Sequence, residues 1–267
     1  MVTLDDVFVN LGTTVNVVRL DSKHFLQHVG GAVGFEGPDF HFTEALAAEL
    51  RLAAERLLGD EGVRPRGTGM HLVVDQVVQL QIVHIIELGT PLLMECGLDI
   101  ITKIKSDYPE KIILSDLKIM DAGRYETEEA LKAGADIVTI MAVTEKRTIE
   151  EGIKVAKEYG RKIMTDLLSV QNIGERIEEL DKMGVDYICL HTSKDLQKDG
   201  MNMAASFGKY RRCVKNSGIA LAGGICSDNV KSYVELNPDI IIVGEGIVAH
   251  KDRREKAKLI KEIMAER

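Results

Sequence analysis

The sequence predicts an α/β protein whose parallel sheet closes as a (β/α)8 barrel, with an altered first βα unit and an N-terminal extension. Two observations carry this. From residue 71 onward, short β-branched runs alternate with amphipathic stretches of helical period. The composition also changes near residue 70: residues 1–70 hold no Ile and a single Lys, Lys23, while the remainder is rich in both. The expected division is therefore an extension over 1–70 and a catalytic-type barrel over 71–267.

The expected strands are "HLVVD", "VHIIEL", "KIILSD", "DIVTI", "KIMTD", "DYICLH", "IALAG" and "DIIIVG". Between them lie "ECGLDIITKIKSDY", "RYETEEALKAG", "EKRTIEEGIKVAKEYG", "NIGERIEELDKMG", "MNMAASFGKYRRCVKN" and "DNVKSYVELN", and "DRREKAKLIKEIMAE" closes the chain. Eight strands in strict alternation with helices argue for the TIM-barrel closure. In the extension, "HFTEALAAELRLAAERLL" (41–58) reads as a helix with Thr43 as its N-cap. "GDEGVRPRGTG" (59–69) reads as a linker.

Bulk properties exclude several classes. A net charge of −8 without a basic stripe argues against nucleic acid as the partner. Cys96, Cys189, Cys213 and Cys226 follow neither zinc nor disulfide spacing, which fits reduced thiols in the cytoplasm. No basic-then-apolar signal segment is expected at "MVTLDDVFVN", and no apolar run reaches the roughly 18 residues of a membrane helix.

Barrels of this kind gather their chemistry at the C-terminal strand ends. Those ends carry Asp75, Glu87, Asp116 with Lys118 and Asp121, Thr139, Asp166, His191, then Gly223–Gly224 and Gly244–Gly246. Singly, a strand-end Asp is more often a loop cap. Together they describe one polar mouth, because buried carboxylates must be paired or solvated and a purely structural barrel has little use for so many. Residues two apart on a strand share a face, so Asp116 and Lys118 can point into the same mouth, and Asp121 can approach the ammonium as the chain turns. Such a Lys stays charged and can stabilise an enolate, while Glu87 and Asp116 offer hard oxygens to a magnesium ion. The competing reading of Asp-x-Lys-x-x-Asp is a surface salt-bridge network. Glycines ending strands seven and eight let backbone N–H groups approach an anion where barrels commonly hold phosphate.

The segments "IIELGTPLL", "DLKIMDAG", "EALKAGADIVTI", "VAKEYGRKIMTDLL", "GVDYICLHTSKDLQ" and "LAGGI" closely resemble the 3-hexulose-6-phosphate synthases of the orotidine-5′-phosphate decarboxylase suprafamily. Their sisters are the 3-keto-L-gulonate-6-phosphate decarboxylases. The resemblance runs from about residue 71 to the C-terminus. It implies a barrel that forms a homodimer with active sites at the interface, magnesium as cofactor, and a 1,2-enediolate intermediate formed from D-ribulose 5-phosphate and added to formaldehyde. It implies Glu87 and Asp116 as metal ligands, Lys118 and Asp121 at the enediolate, His191 for proton transfer and Asp75 as the strand-one acid. It also places Gly223, Gly224, Gly244 and Gly246 in the phosphate loops.

"TDLLSVQN" resembles the synthases, whereas Lys194 stands where the decarboxylases carry Arg, so the synthase is the favoured reading and the decarboxylase its alternative. Glu245 departs from both, adding a negative charge where an anion is expected. The larger departure lies at strand one. Only "QVVQLQ" separates "HLVVD" from "IVHIIEL", and a parallel crossover needs about a dozen residues. Either the helix at 41–58 covers the gap, or "VNVVRLD", ending at Asp21, replaces strand one, or the chain is an inactive truncated barrel serving as a sugar-phosphate-binding or scaffold protein.

Overall fold

The computed structural model describes residues 7–10, 83, 85–197 and 203–265. Eight parallel strands close a barrel in chain order: β1 (Val7–Asn10), β2 (Ile85–Leu88), β3 (Ile112–Ile119), β4 (Ile137–Met141), β5 (Lys162–Asp166), β6 (Tyr187–His191), β7 (Gly218–Ala222) and β8 (Ile240–Val243). The helical segments are α1 (Thr90–Cys96), α2 (Asp99–Asp107), α3 (Gly123–Lys132), α4 (Lys146–Glu158), α5 (Ile173–Met183), α6 (Lys194–Gln197), α7 (Phe207–Arg211), α8 (Val230–Val234), α9 (Glu245–Val248) and α10 (Arg253–Ala265).

Seven of the expected strands, β2 to β8, form where the β-branched runs stand. The first does not. "HLVVD" was expected as strand one, but that place in the barrel is taken by Val7–Asn10, which pairs with β2 through Phe8↔Ile85 and with β8 through Phe8↔Ile242. The barrel unit accordingly takes Met1–Thr13 together with Met70–Arg267, so the first residues of the expected extension belong to it. The physical reason is the one the short crossover exposes: six residues cannot carry a chain from one parallel strand to the next, whereas the seventy-odd between Asn10 and Ile85 can. "HLVVD", "VNVVRLD" and the helix at 41–58 lie outside the described residues.

Strands β2 to β8 are buried on both faces, as parallel strands covered by helices must be. Alternate residues sort into two cores. Ile85, Leu114, Ile137, Met164, Cys189, Ala220 and Ile240 fill the barrel interior. Ile86, Ile113, Val138, Ile163, Ile188 and Leu221 face outward onto Leu131, Ile153, Ile177 and Ile260 of the surrounding helices. The expected helix over 95–108 breaks at Gly97, whose φ of 64° ends α1 before α2 begins.

One device recurs at the strand beginnings. Asp136, Asp186 and Asp239 each precede an even-numbered strand, and each carboxylate accepts a hydrogen bond from a backbone N–H on the preceding strand. The donors are Ile113 (2.8 Å), Ile163 (2.9 Å) and Ile219 (2.7 Å). In each case the aspartate's own N–H returns a bond to that residue's carbonyl. These paired bonds fix the register at the end of the barrel opposite the polar mouth. Among the described residues no helix is long and apolar enough to cross a membrane.

Candidate active site

The C-terminal strand ends open into a cavity of about 580 Å³. Glu87 reaches it from β2, Asp116 and Lys118 from β3, Thr139 from β4, Asp166 from β5 and His191 from β6. The glycine turns after β7 and β8 line its other side. The three carboxylates are almost fully buried, at 4, 5 and 3% exposure for Glu87, Asp116 and Asp166.

Strand β3 makes the centre possible by breaking its own regularity. Its pairing with β4 slips between Ser115 and Ile119, and within that bulge Lys118 adopts φ 53°. A left-handed conformation is costly for a side chain of this size, and such strain gathers at functional sites. Here the Lys118 N–H, lost to the ladder, donates instead to Thr139 Oγ1 at 2.9 Å. The bulge brings the Lys118 ammonium onto the carboxylate of Asp116 two residues earlier. The spacing of Asp-x-Lys does place both groups in one mouth, through a bulge rather than through plain strand alternation.

Asp116 is held from several sides. Thr139 donates to its Oδ1 at 3.0 Å, and Lys118 and Thr90 meet its Oδ2. Thr90 Oγ1, at the start of α1, also accepts from Lys118 Nζ at 3.2 Å. Lys118 Nζ lies 3.9 Å from Asp166 Oδ2. That same oxygen is 2.8 Å from His191 Nδ1, and Asp166 Oδ1 accepts the Leu168 N–H at 2.9 Å. Asp116, Lys118, Asp166 and His191 therefore form one continuous chain of charge-assisted contacts. With the Nδ1 proton given to Asp166, the other ring nitrogen of His191 is left for substrate. Burial opposes the charge on Lys118, but Asp116, Asp166 and Glu87 outweigh it and hold the pKa above the ordinary lysine value. The Cys189 thiol, buried at the same floor, is pushed well up by burial and by Asp166 and Glu87, so it stays neutral.

Three buried carboxylates face one ammonium here, an arrangement that a proton or a cation can balance. Among the described residues no group of three or more His, Cys, Asp or Glu is placed to hold a metal ion by itself. The hard oxygens of Glu87 and Asp116 nevertheless fit magnesium, which is commonly held by one or two carboxylates with water and substrate completing its shell.

Two expected site residues are not brought together with these. Asp121 is exposed, its Oδ1 taken by the Ala122 N–H at 2.7 Å, and it does not line the cavity. The chain leaves the bulge through Ala122 at φ 48°. Asp75 lies outside the described residues, and the mouth end of β1 carries Asn10, in register with Glu87. Asp166 and Thr139 were legible as strand-end polar residues without a role, and the structure makes them the partners of His191 and Lys118. Thr90 was missed; its only signal is a hydroxyl before Pro91 at the first turn of α1.

The glycine turns are as close-packed as their sequence implies. Gly223 has φ 97°, and a Cβ on it would stand 2.1 Å from the Thr192 carbonyl oxygen. A Cβ on Gly246 would stand 2.3 Å from that of Ile225. Glu245, unexpected in this loop, forms an ion pair with Lys194 of α6 across the mouth.

A closed parallel barrel with carboxylates, a lysine and a histidine converging at its C-terminal mouth defines a barrel enzyme. Residues 73–260 match the orotidine 5′-phosphate decarboxylase / HUMPS family, and the chain belongs to it. It is similar to the 3-hexulose-6-phosphate synthase of Bacillus subtilis, 40% identical over 70% of this chain and 89% of that protein. The synthase of Staphylococcus epidermidis is 39% identical over 79% and 95%. Among solved structures, 3-hexulose-6-phosphate synthase from Salmonella typhimurium superposes with a TM-score of 0.71 at 37% identity, covering 73% of this chain and 92% of that one. The 3-keto-L-gulonate-6-phosphate decarboxylase of Vibrio cholerae shares the fold, with a TM-score of 0.66 over 74% and 92% at 21% identity.

Proposed function

We propose that the chain condenses D-ribulose 5-phosphate with formaldehyde to give 3-hexulose 6-phosphate. The observation that carries this reading is the continuous Asp116–Lys118–Asp166–His191 chain at the mouth, in a protein about 40% identical to named synthases. His191, oriented by Asp166, takes the C1 proton of the sugar phosphate. The electron pair left behind forms a 1,2-enediolate, whose negative oxygen is met by the Lys118 ammonium. The C1 carbon then attacks the formaldehyde carbon, and the new alkoxide takes up a proton, so that every atom of both substrates is retained. Magnesium, when bound through Glu87 and Asp116, supplies Lewis-acid polarisation of the substrate carbonyl and balances the buried carboxylates.

A homodimer gives Asp121 a place. It stands beside Met120, 52% exposed, and the Thr144 hydroxyl ties the neighbouring loop, with exposed Val143, to the Met120 carbonyl. An apolar surface around an exposed acid that does not line its own cavity suits a partner's site. Lys194, a cation at the mouth, favours a second reading, decarboxylation of 3-keto-L-gulonate 6-phosphate through a similar enediolate.

The test is product identification. Purified protein with magnesium, ribulose 5-phosphate and formaldehyde is expected to yield 3-hexulose 6-phosphate, to lose that activity on chelation and to regain it with added Mg²⁺. Carbon dioxide release from 3-keto-L-gulonate 6-phosphate, without condensation, would instead establish the decarboxylase. Ligand binding without either turnover would establish a binding protein.

A further inference from the structure

The Lys194–Glu245 ion pair takes no part in the chemistry above. Its members stand 51 positions apart and come from different barrel loops, Lys194 opening α6 after β6 and Glu245 opening α9 after β8. Both line the same cavity as the glycine turns. Their side chains are 66% and 61% exposed, and an ion pair so placed adds little to stability. Its position therefore bears on the mouth rather than on the fold.

Helix α6 is seated on both glycine turns at once. At its last residue, Gln197 donates through Nε2 to the Thr192 carbonyl at 2.8 Å, and its amide packs against Gly223 and Gly224. At its first residue, Lys194 reaches Glu245 between Gly244 and Gly246. Of the lysines that line the cavity, Lys118 is committed to Asp116 and Asp166. Among the described residues Lys194 is thus the ammonium near the glycine turns, and Glu245 already occupies it.

We infer that Glu245 is a built-in competitor for the substrate's phosphate: its carboxylate neutralises Lys194 in the free enzyme and must be displaced before the ammonium can meet the phosphate. The inference rests on the reading of this cavity as a sugar-phosphate site. Its chemical consequence is selectivity. A phosphate ester carries close to two negative charges at neutral pH and outcompetes a single carboxylate, whereas a singly charged sugar acid gains nothing by the exchange. Glu245 acts through Lys194 and touches no reacting atom, so it is a positioning residue.

The experiment is a double-mutant cycle on the full chain: wild type, Glu245→Gln, Lys194→Gln and the double variant. Inorganic phosphate binding is measured by calorimetry, and KM and kcat are measured with ribulose 5-phosphate and formaldehyde. Glu245→Gln is expected to tighten phosphate binding and lower KM by roughly two- to five-fold, the range that one exposed ion pair commands, with the shift in KM rather than kcat. Lys194→Gln is expected to weaken both by a similar factor. In the Lys194→Gln background the gain from Glu245→Gln should largely vanish, because no ammonium remains to be freed. Equal gains in both backgrounds would overturn the inference, leaving only general repulsion by Glu245. Phosphate binding is read without turnover, so the two readings fail separately. A coupled cycle in a chain that makes no hexulose phosphate sustains the competitor and rejects the synthase. A working synthase whose four variants bind phosphate alike rejects the competitor alone.

Discussion

At the scale of single residues, the proposed reaction asks most of Lys118. It sits in a conformation that costs energy, in contact with Asp116 and within 3.9 Å of Asp166, and its backbone N–H is satisfied by Thr139. An ammonium fixed in this way needs no reorganisation when a negative oxygen develops beside it, and such preorganised charge is worth several kcal/mol. Lys118→Ala is therefore expected to lower kcat by roughly 10²-fold or more, with a smaller effect on KM, in steady-state kinetics at saturating formaldehyde. Near wild-type turnover would reduce the motif to a salt-bridge network. The pH dependence follows from the raised pKa. Because the folded value lies above the unfolded one, the ammonium's stabilising contribution is complete below about pH 10.4 and is lost as pH rises through the folded value. Any loss of activity between pH 7 and 9 must then come from another group, which a pH profile of kcat on the Lys118→Arg variant would test.

At the scale of elements, the barrel separates chemistry from stability by its two ends. The bottom is fixed by Asp136, Asp186 and Asp239, each exchanging two backbone bonds with the preceding strand. The triplets "GAD", "GVD" and "NPD" before strands four, six and eight carry this device in plain view. The strand ends drew attention because charged side chains there have no structural excuse, whereas an acid before a strand reads as ordinary loop polarity. Asp239→Ala removes the acceptor of the buried Ile219 N–H at 2.7 Å and is expected to cost about 1–3 kcal/mol in urea unfolding. The mouth lies at the other barrel end, so kcat/KM should stay within twofold of wild type. A variant with unchanged stability would show that water replaces the carboxylate there.

The same contrast explains what the sequence left hidden at the site. Strand positions of Glu87, Asp116, Asp166 and His191 follow from period and run length. The bulge at Lys118 does not, because φ 53° is imposed by the tertiary contacts of Thr139 and Asp116 rather than by any local preference of lysine. Nor does composition give any sign of the left-handed Ala122 that follows Asp121, or of Asp121 standing exposed outside the cavity.

At the scale of the whole molecule, the question is what closes the barrel. A parallel sheet of seven strands would leave two open edges, each a row of unpaired N–H and C=O groups. Those edges are β2 and β8, and β1 meets both: Val7, Phe8 and Val9 stand in register with Ile241, Ile242 and Val243, while Phe8, Val9 and Asn10 stand in register with Ile85, Ile86 and Glu87. The sequence pointed to "HLVVD" for this role because it is β-branched and adjacent, and it also showed why that choice fails, since the crossover to β2 is too short. "VFVN" is only four residues long and lies in a region of different composition, so hydrophobic period alone could not single it out. Deleting Met1–Thr13 should therefore open the barrel between β8 and β2. The truncated chain is expected to aggregate on purification, or to melt at least about 10 °C below the full chain by differential scanning fluorimetry, as a loss of several kcal/mol in a protein of this size requires. Size-exclusion chromatography would show the exposed edges as higher-order species. A truncated chain that stays monodisperse with an unchanged melting temperature would show that Val7–Asn10 is dispensable, and would return the closing strand to residues 71–75.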